Sequence, residues 1–243
     1  MIQFYAPDLE QTLTLPEGES THCCRVLRLR EGSEIDVTDG KGNRFRCEIT
    51  DAHPKHTQVR IIDKQTFGQP HPYKITIAVA PTKNIDRIEW LLEKSVEVGV
   101  DRIVLVSCSH SERKNVNEER LERIILSAMN QSLKTHRPEF GGLMKLSDFL
   151  KEEKQQGDAR ERYVGYCSPE IERHGLSEAY TPGKDVTLLI GPEGDFSPEE
   201  IELALDCGFS AATFGEMRLR TETAALYGLQ SIHILNELSN HRN

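Results

Sequence analysis

Across residues 1–70, apolar and polar side chains alternate in short runs, at 2–5, 34–37, 44–49 and 58–62, with turn-forming residues between them. A period of two is the mark of half-buried strands. Asp39, Gly40, Lys41, Gly42 and Asn43 separate two of these runs, and the two glycines supply the backbone freedom that a hairpin loop needs. Residues 1–70 therefore read as a small, mostly β domain. The stretch 67–72, FGQPHP, joins two prolines to a glycine and predicts a linker.

From Tyr73 onward the period changes. Apolar runs at 74–80 and 102–108 alternate with segments of helical spacing. In the first such segment Ile85, Ile88, Leu92 and Val96 share one face, and Gly99 stops it. In the second, over 118–133, Leu121, Ile124, Ile125, Ala128 and Met129 form the apolar stripe. Further strands are predicted at 163–167, 186–190 and 211–214. Strands alternating with helices give an α/β domain over 73–243 built on a doubly wound parallel sheet. Residues 151–161 are polar enough to be an exposed helix end or a loop, and neither an internal repeat nor a low-complexity tract interrupts the pattern.

Two breaks in this pattern carry the candidate chemistry. In LLIGPEGDFSPEEIELALDCGF, residues 188–209, an apolar strand runs into Gly191, Pro192 and Gly194, which end it at once. Ser197, Pro198 and Glu200 then spell an N-cap, a first-position proline and a capping-box glutamate, and Gly208 closes the helix. In FGEMRLRTETAALYGLQSIHIL, residues 214–235, Gly215 releases a second strand into a polar loop and a helix from about Glu222. Strand, glycine turn and helix N-terminus form the ligand-facing edge of open α/β sheets. Neither turn matches G-x-G-x-x-G or G-x-x-x-x-G-K-[ST], so dinucleotide and ATP readings fail on motif grounds.

Composition narrows the setting. With 243 residues and 37% hydrophobic side chains the chain can build one large or two modest cores. No segment approaches a membrane span and the opening MIQFYAPDLE has no leader pattern, so a cytoplasmic protein is expected. The six cysteines show no C-x-x-C spacing and are expected as reduced thiols; His53 and His56 have only weak ligand spacing, so no metal is expected. The net charge of −9 argues against nucleic acid, yet the acidic excess sits in 151–208, where Asp and Glu outnumber Lys and Arg by eight. Basic clusters elsewhere, Arg25-Val-Leu-Arg28-Leu-Arg30, Lys41 to Arg46 and Arg113-Lys114, suit phosphate contacts, with a mixed solvated surface an equal alternative from charge alone.

At these residues the sequence resembles the SPOUT-class methyltransferases, and within them the 16S ribosomal RNA uridine-N3 methyltransferases. The resemblance rests on IGPEGDFSPEEI (190–201), GEMRLRTETA (215–224), DRIEWLLEKSVEVGV (86–100), SERK (111–114) with NQS (130–132), and HCCRVLRLREG (22–32) with DGKGN. Asp195 departs from the pattern, which commonly has a third glycine there, and Cys23 stands where a second histidine is frequent. The resemblance implies a PUA-like RNA-binding β-barrel over 1–70, a SPOUT α/β domain with a C-terminal trefoil knot over 73–243, S-adenosylmethionine as donor, 16S RNA or the 30S subunit as partner, and a homodimer.

It also implies roles for the two turns. Gly191, Gly194 and Gly215 let backbone approach the donor, Leu189, Ile190 and Leu219 offer apolar contact, and Pro192 and Ala224 lie beside them. Thr221 and Thr223 can hydrogen-bond the donor, or serve as cap and first-turn residues; Glu193 contacts the donor, or is a carboxylate favoured by a helix N-terminus. Uridine N3 must lose a proton to attack, so Arg220, expected buried, is assigned orienting or charge stabilisation, and Glu222 acts as base or arginine orienter. Arg25, Arg28, Arg30 and Arg113 would hold RNA phosphates, or pair with surface carboxylates. Two other classes stay open: a noncatalytic RNA-binding assembly protein, and an α/β enzyme for a small anion.

Overall fold

The computed structural model describes residues 2–157, 159–166 and 172–240. The chain divides into two compact units, residues 1–70 with 126–137, and residues 71–125 with 138–243.

The first unit holds β1 (Gln3–Tyr5), α1 (Leu9–Thr12), α2 (Glu17–Thr21) continuing into a π-helical turn (His22–Val26), β2 (Glu34–Thr38), β3 (Asn43–Asp51) and β4 (Gln58–Thr66). These strands form a sheet in the order β1-β2-β3-β4, parallel between β1 and β2 and antiparallel beyond. Along β3 the alternation is explicit: Phe45, Cys47 and Ile49 are fully buried, and Arg46 between them is exposed. They pack with Phe4, Val37 and Cys23. The hairpin loop is held by Asp39, whose carboxylate accepts the Lys41 and Asn43 N–H groups at 2.8 and 3.1 Å, while Gly40 and Gly42 take φ of 72° and 100°. Residues 126–137 join this unit through carbonyls: Gln3 Nε2 donates to Lys134 O and Arg44 Nη2 to Leu133 O, both at 2.9 Å.

The second unit runs β5 (Ile75–Val79), α3 (Ile85–Val98), β6 (Arg102–Ser107), α4 (Glu118–Gln131, its last residues counted with the first unit), β7 (Glu139–Lys145) and α5 (Leu146–Gln155). Then follow β8 (Glu161–Gly165), β9 (His174–Gly175), α6 (Leu176–Ala179), β10 (Val186–Ile190), α7 (Pro198–Asp206), β11 (Ser210–Thr213) and α8 (Thr221–Asn240). All seven strands are parallel, in the order β7-β6-β5-β10-β8-β11-β9. Every residue of β5 and β10 is buried, as a strand covered on both faces requires. On one face α5 and α7 pack with Ala78, Val104, Val164 and Leu189. On the other lies α8, where a Cβ on Gly228 would come within 2.9 Å of Leu188. Strand order reverses between β5 and β10, and such a switch point leaves a crevice at the carboxyl edge.

Several elements go beyond the sequence expectation, among them α1, α2, α6 and β9 as well as β7. β7 was not anticipated, because Gly141 and Gly142 thin its apolar pattern and Gly142 takes a φ of 66°. Residues 151–155 are a helix end, completing α5 with Lys151, Lys154 and Gln155 exposed as expected; Glu153 alone departs, being fully buried. Cys23, Cys47, Cys108 and Cys207 are buried free thiols and Cys24 is half-buried; Cys167 lies outside the described residues. Burial pushes the Cys47 and Cys108 thiols up to about 12. Among the described residues no helix is long and apolar enough to cross a membrane, and no group of three or more His, Cys, Asp or Glu is disposed to hold a metal.

Candidate active site at the carboxyl edge of the sheet

β10 ends on Ile190, whose carbonyl accepts the Ala80 N–H at 3.0 Å. At Gly191 the chain must be side-chain free, since a Cβ would stand 2.8 Å from the Phe196 ring. The turn then closes on itself: Asp195 N–H donates to Pro192 O at 3.0 Å, and Asp195 adopts a φ of 62°, a left-handed conformation that Asp tolerates better than most residues. Its Oδ1 accepts the Phe196 N–H at 2.9 Å. α7 starts with the capping box, Ser197 Oγ accepting from Glu200 N–H and Glu200 Oε2 from Ser197 N–H, with Pro198 at the first position.

The second turn leaves β11 through Gly215, at a φ of 96°, whose carbonyl accepts the Thr213 hydroxyl at 2.7 Å. α8 opens on Thr221, and the buried Thr221 Oγ1 donates to Gly191 O at 3.1 Å. That bond ties the two turns together across thirty residues of sequence. Between them lies a cavity of about 800 Å³, within the roughly 300–1,000 Å³ usual for small-molecule sites. Gly165 and Tyr166 wall it where β8 ends, Ile190 to Glu193 with Asp195 from the first turn, and Ala212 to Thr221 with Ala224 from the second. Arg173 completes the rim, its Nη1 donating to Tyr166 O at 3.1 Å.

The structure thus brings Ile190, Gly191, Pro192, Glu193, Gly215, Leu219, Arg220, Thr221 and Ala224 to one cavity. Arg220 is exposed there, a correction to its expected burial. Leu189 is absent from the wall because the strand period turns it to the opposite face, among α5 and α7. Gly194 backs against His110, whose Cβ would be 3.2 Å from a Cβ there, and Thr223 points outward on α8. Glu222 is buried at 7% exposure, its Oε1 3.8 Å from Arg87 Nε and its Oε2 without a hydrogen bond. Its arginine partner is therefore on α3.

Arg113 is engaged by backbone: Nε donates to Thr82 O at 3.1 Å and Nη2 to Lys83 O at 2.6 Å. Arg25, Arg28 and Arg30 are all exposed on the first unit, Arg28 at a φ of 55°. Sequence reasoning passed over Gly165, Tyr166, Ala212, Phe214, Met217 and Arg218, all of which wall the cavity. For Tyr166 and Ala212 a signal existed: both lie at the carboxyl ends of strands in a parallel sheet.

Two family models match the chain: an RNA methyltransferase PUA domain over residues 15–62 and an RNA methyltransferase domain over residues 69–233. A ribosomal RNA small subunit methyltransferase E from Bacillus subtilis (strain 168) is 25% identical over 240 residues, covering 93% of this chain and 91% of that protein. Among solved structures, a probable rRNA-methyltransferase from Porphyromonas gingivalis is 43% identical with a TM-score of 0.89, covering 98% of this chain and 100% of that one. A ribosomal RNA small subunit methyltransferase E from Neisseria gonorrhoeae, bound to S-adenosyl methionine, is 26% identical with a TM-score of 0.85, covering 97% and 98%.

Proposed function

The chain belongs to the RNA methyltransferase family whose catalytic-domain model covers residues 69–233, and from that premise we propose that it transfers a methyl group from S-adenosylmethionine to 16S ribosomal RNA, at N3 of a uridine. The observation that carries the reading is the cavity itself, framed by two glycine turns that Thr221 joins through the Gly191 carbonyl.

The cavity suits the donor. Ile190, Leu219 and Met217 give it apolar walls, and Gly191 and Gly215 let peptide groups approach a nucleoside without an intervening Cβ. When bound, S-adenosylmethionine supplies a methyl group on a sulfonium, open to in-line attack. The chain's own part is to hold and aim: positioning of reactants alone is worth several kcal/mol, on the order of 7–11 when complete. Arg220 lines the wall and is exposed, which supports a role for it in stabilising the anion as N3 loses its proton. Glu222, paired with Arg87, acts as an arginine orienter in this reading, and Arg25, Arg28 and Arg30 take RNA phosphates.

The same reading includes the trefoil knot in the second unit, a cytoplasmic location and a homodimer. For the dimer, Tyr227, Ile234 and Leu238 on α8 are each about half exposed and recur at steps of seven and four residues, so they share one stripe. A second copy covering that stripe would appear as doubled mass by light scattering.

Calorimetry with S-adenosylmethionine, followed by mass mapping of 16S RNA from cells with and without the gene, tests the proposal. Donor binding and a gene-dependent methyl on uridine N3 are expected. Protein that binds 16S RNA but no donor would instead be a noncatalytic RNA-binding protein, and a methyl found on another RNA would move the substrate assignment there.

A further inference from the structure

We propose that residues 108–114 form a brace for the turn at 191–196, with Arg113 as its positioning residue; this rests on the reading of the cavity as the methyl-donor site. The segment follows β6, and three links tie it to the turn: one through the helix that the turn leads into, one direct, and one through the loop after β5. Ser109 donates its N–H and hydroxyl to Glu200 Oε1 at 2.7 and 3.0 Å, the carboxylate whose other oxygen caps α7. His110 Nδ1 meets Asp195 O at 3.0 Å, and the close backing of Gly194 on His110 fixes the distance between the two segments.

The third link passes through the loop after β5. Arg113 forks onto the carbonyls of Thr82 and Lys83, and the Lys83 N–H donates to Glu193 Oε1 at 3.2 Å. Thr82 is fully buried with its hydroxyl on Asn84 O at 2.7 Å, so the loop cannot slide. Glu112 adds a contact to the Lys83 ammonium at 2.8 Å, which raises that lysine above its ordinary range. A guanidinium donates in fixed directions, and two of those directions are already occupied by carbonyls. The residue therefore acts on the cavity wall through peptide groups. A wall held this way needs little ordering when a ligand enters.

The test sets donor binding against RNA binding. S-adenosylmethionine affinity by calorimetry and 16S RNA affinity over a salt series are measured for wild type, Arg113→Ala and Arg113→Lys. Loss of charge-assisted hydrogen bonds should weaken donor binding about tenfold in Arg113→Ala. The salt dependence of RNA binding should stay as in wild type. Arg113→Lys, which cannot fork across two carbonyls, should fall between. The amides of 191–196 should exchange faster in both variants, and adding Glu193→Ala to Arg113→Ala should cost little more than the worse single change, since both act on one chain of contacts. Unchanged donor affinity in Arg113→Ala overturns the brace, as does a salt slope lower by about one unit, which would place Arg113 on a phosphate. Wild-type protein that binds no donor overturns the donor reading itself, a separate failure.

Discussion

The two edges of the parallel sheet handle arginine in opposite ways. At the amino edge α5 delivers Glu153, fully buried, to Arg160 and Arg162 at 3.4 Å and Arg102 at 3.9 Å, and Thr187 Oγ1 donates to it at 2.8 Å. Arg102 also donates from Nη2 to Glu152 at 2.6 Å and is ion-paired with Glu139, Nε to Oε1, at 3.0 Å. At the carboxyl edge Arg173, Arg218 and Arg220 stand exposed around the cavity. Arginine density is thus similar at both ends and says nothing about which is the site. The difference is that the guanidiniums are closed in by a buried carboxylate at one edge and open to solvent at the other.

The largest effect that would break this contrast is at the closed edge. Removing one member of a buried ionic network strands the others, typically at about 3–5 kcal/mol, so Glu153→Ala should lower stability by that order in urea denaturation. The folded fraction should bind donor as before. A loss below about 1 kcal/mol would mean the arginines find water and the edge is not closed.

Arg220→Ala should do the reverse. The rate of methyl transfer should fall about a hundredfold, in line with the removal of one stabiliser of developing charge, while stability shifts by no more than about 0.5 kcal/mol. A wild-type rate in this variant would leave the exposed arginines without a chemical role.

A carboxyl in the first unit sharpens the same rule by lacking a cationic partner. Glu19 accepts from Asn130 Nδ2 at 3.2 Å, and burial pushes it up to about 7, with the Asn130 bond opposing. Because the folded state holds this proton more firmly than the unfolded chain, its contribution to stability is present below the ordinary value of 4.5 and is lost as pH rises through about 7. Glu19→Gln, which stays neutral, should match wild type near pH 4 and exceed it by about 1–3 kcal/mol at pH 8. Parallel stability curves across that range would show the carboxylate to be solvated.

How far the sequence revealed these edges depends on whether a signal was local. β10 was legible because five consecutive apolar or β-branched residues, cut short by Gly191 and Pro192, suit a covered strand, and α7 because Ser197, Pro198 and Glu200 specify an N-terminus in four positions. Most of the first turn followed. The closed edge was not legible, since nothing near Glu153 announces that Arg102 and Arg162 arrive from β6 and β8, two strands with β5 and β10 between them. Tyr166 stood at a legible strand end, but what brings that end into the wall is that β8 lies between β10 and β11, a pairing order that periodicity does not encode. Arg113 was read as an RNA contact from the basic pair Arg113-Lys114; the backbone carbonyls it also binds are 30 and 31 residues away, where no local pattern reaches.

The smallest predicted effect concerns Asp195, where charge at the open edge should be nearly irrelevant to folding. Its left-handed φ of 62° strains a residue with a Cβ by about 1–2 kcal/mol, somewhat less for Asp. Against this, Oδ1 holds the Phe196 N–H, a bond worth about 0.5–1.5 kcal/mol. Glycine would remove the strain, lose the bond and add about 0.5–1 kcal/mol of chain entropy to be lost on folding. These terms nearly cancel, so Asp195→Gly should melt within about 0.5 kcal/mol of wild type. Alanine keeps the strain and still loses the bond, and Asp195→Ala should be less stable than Asp195→Gly by about 1 kcal/mol. The order of the two variants is the decisive result: alanine above glycine would mean that the backbone at this turn relaxes out of the left-handed region, and with it the peptide geometry that the Gly191 and Gly215 walls present to the donor.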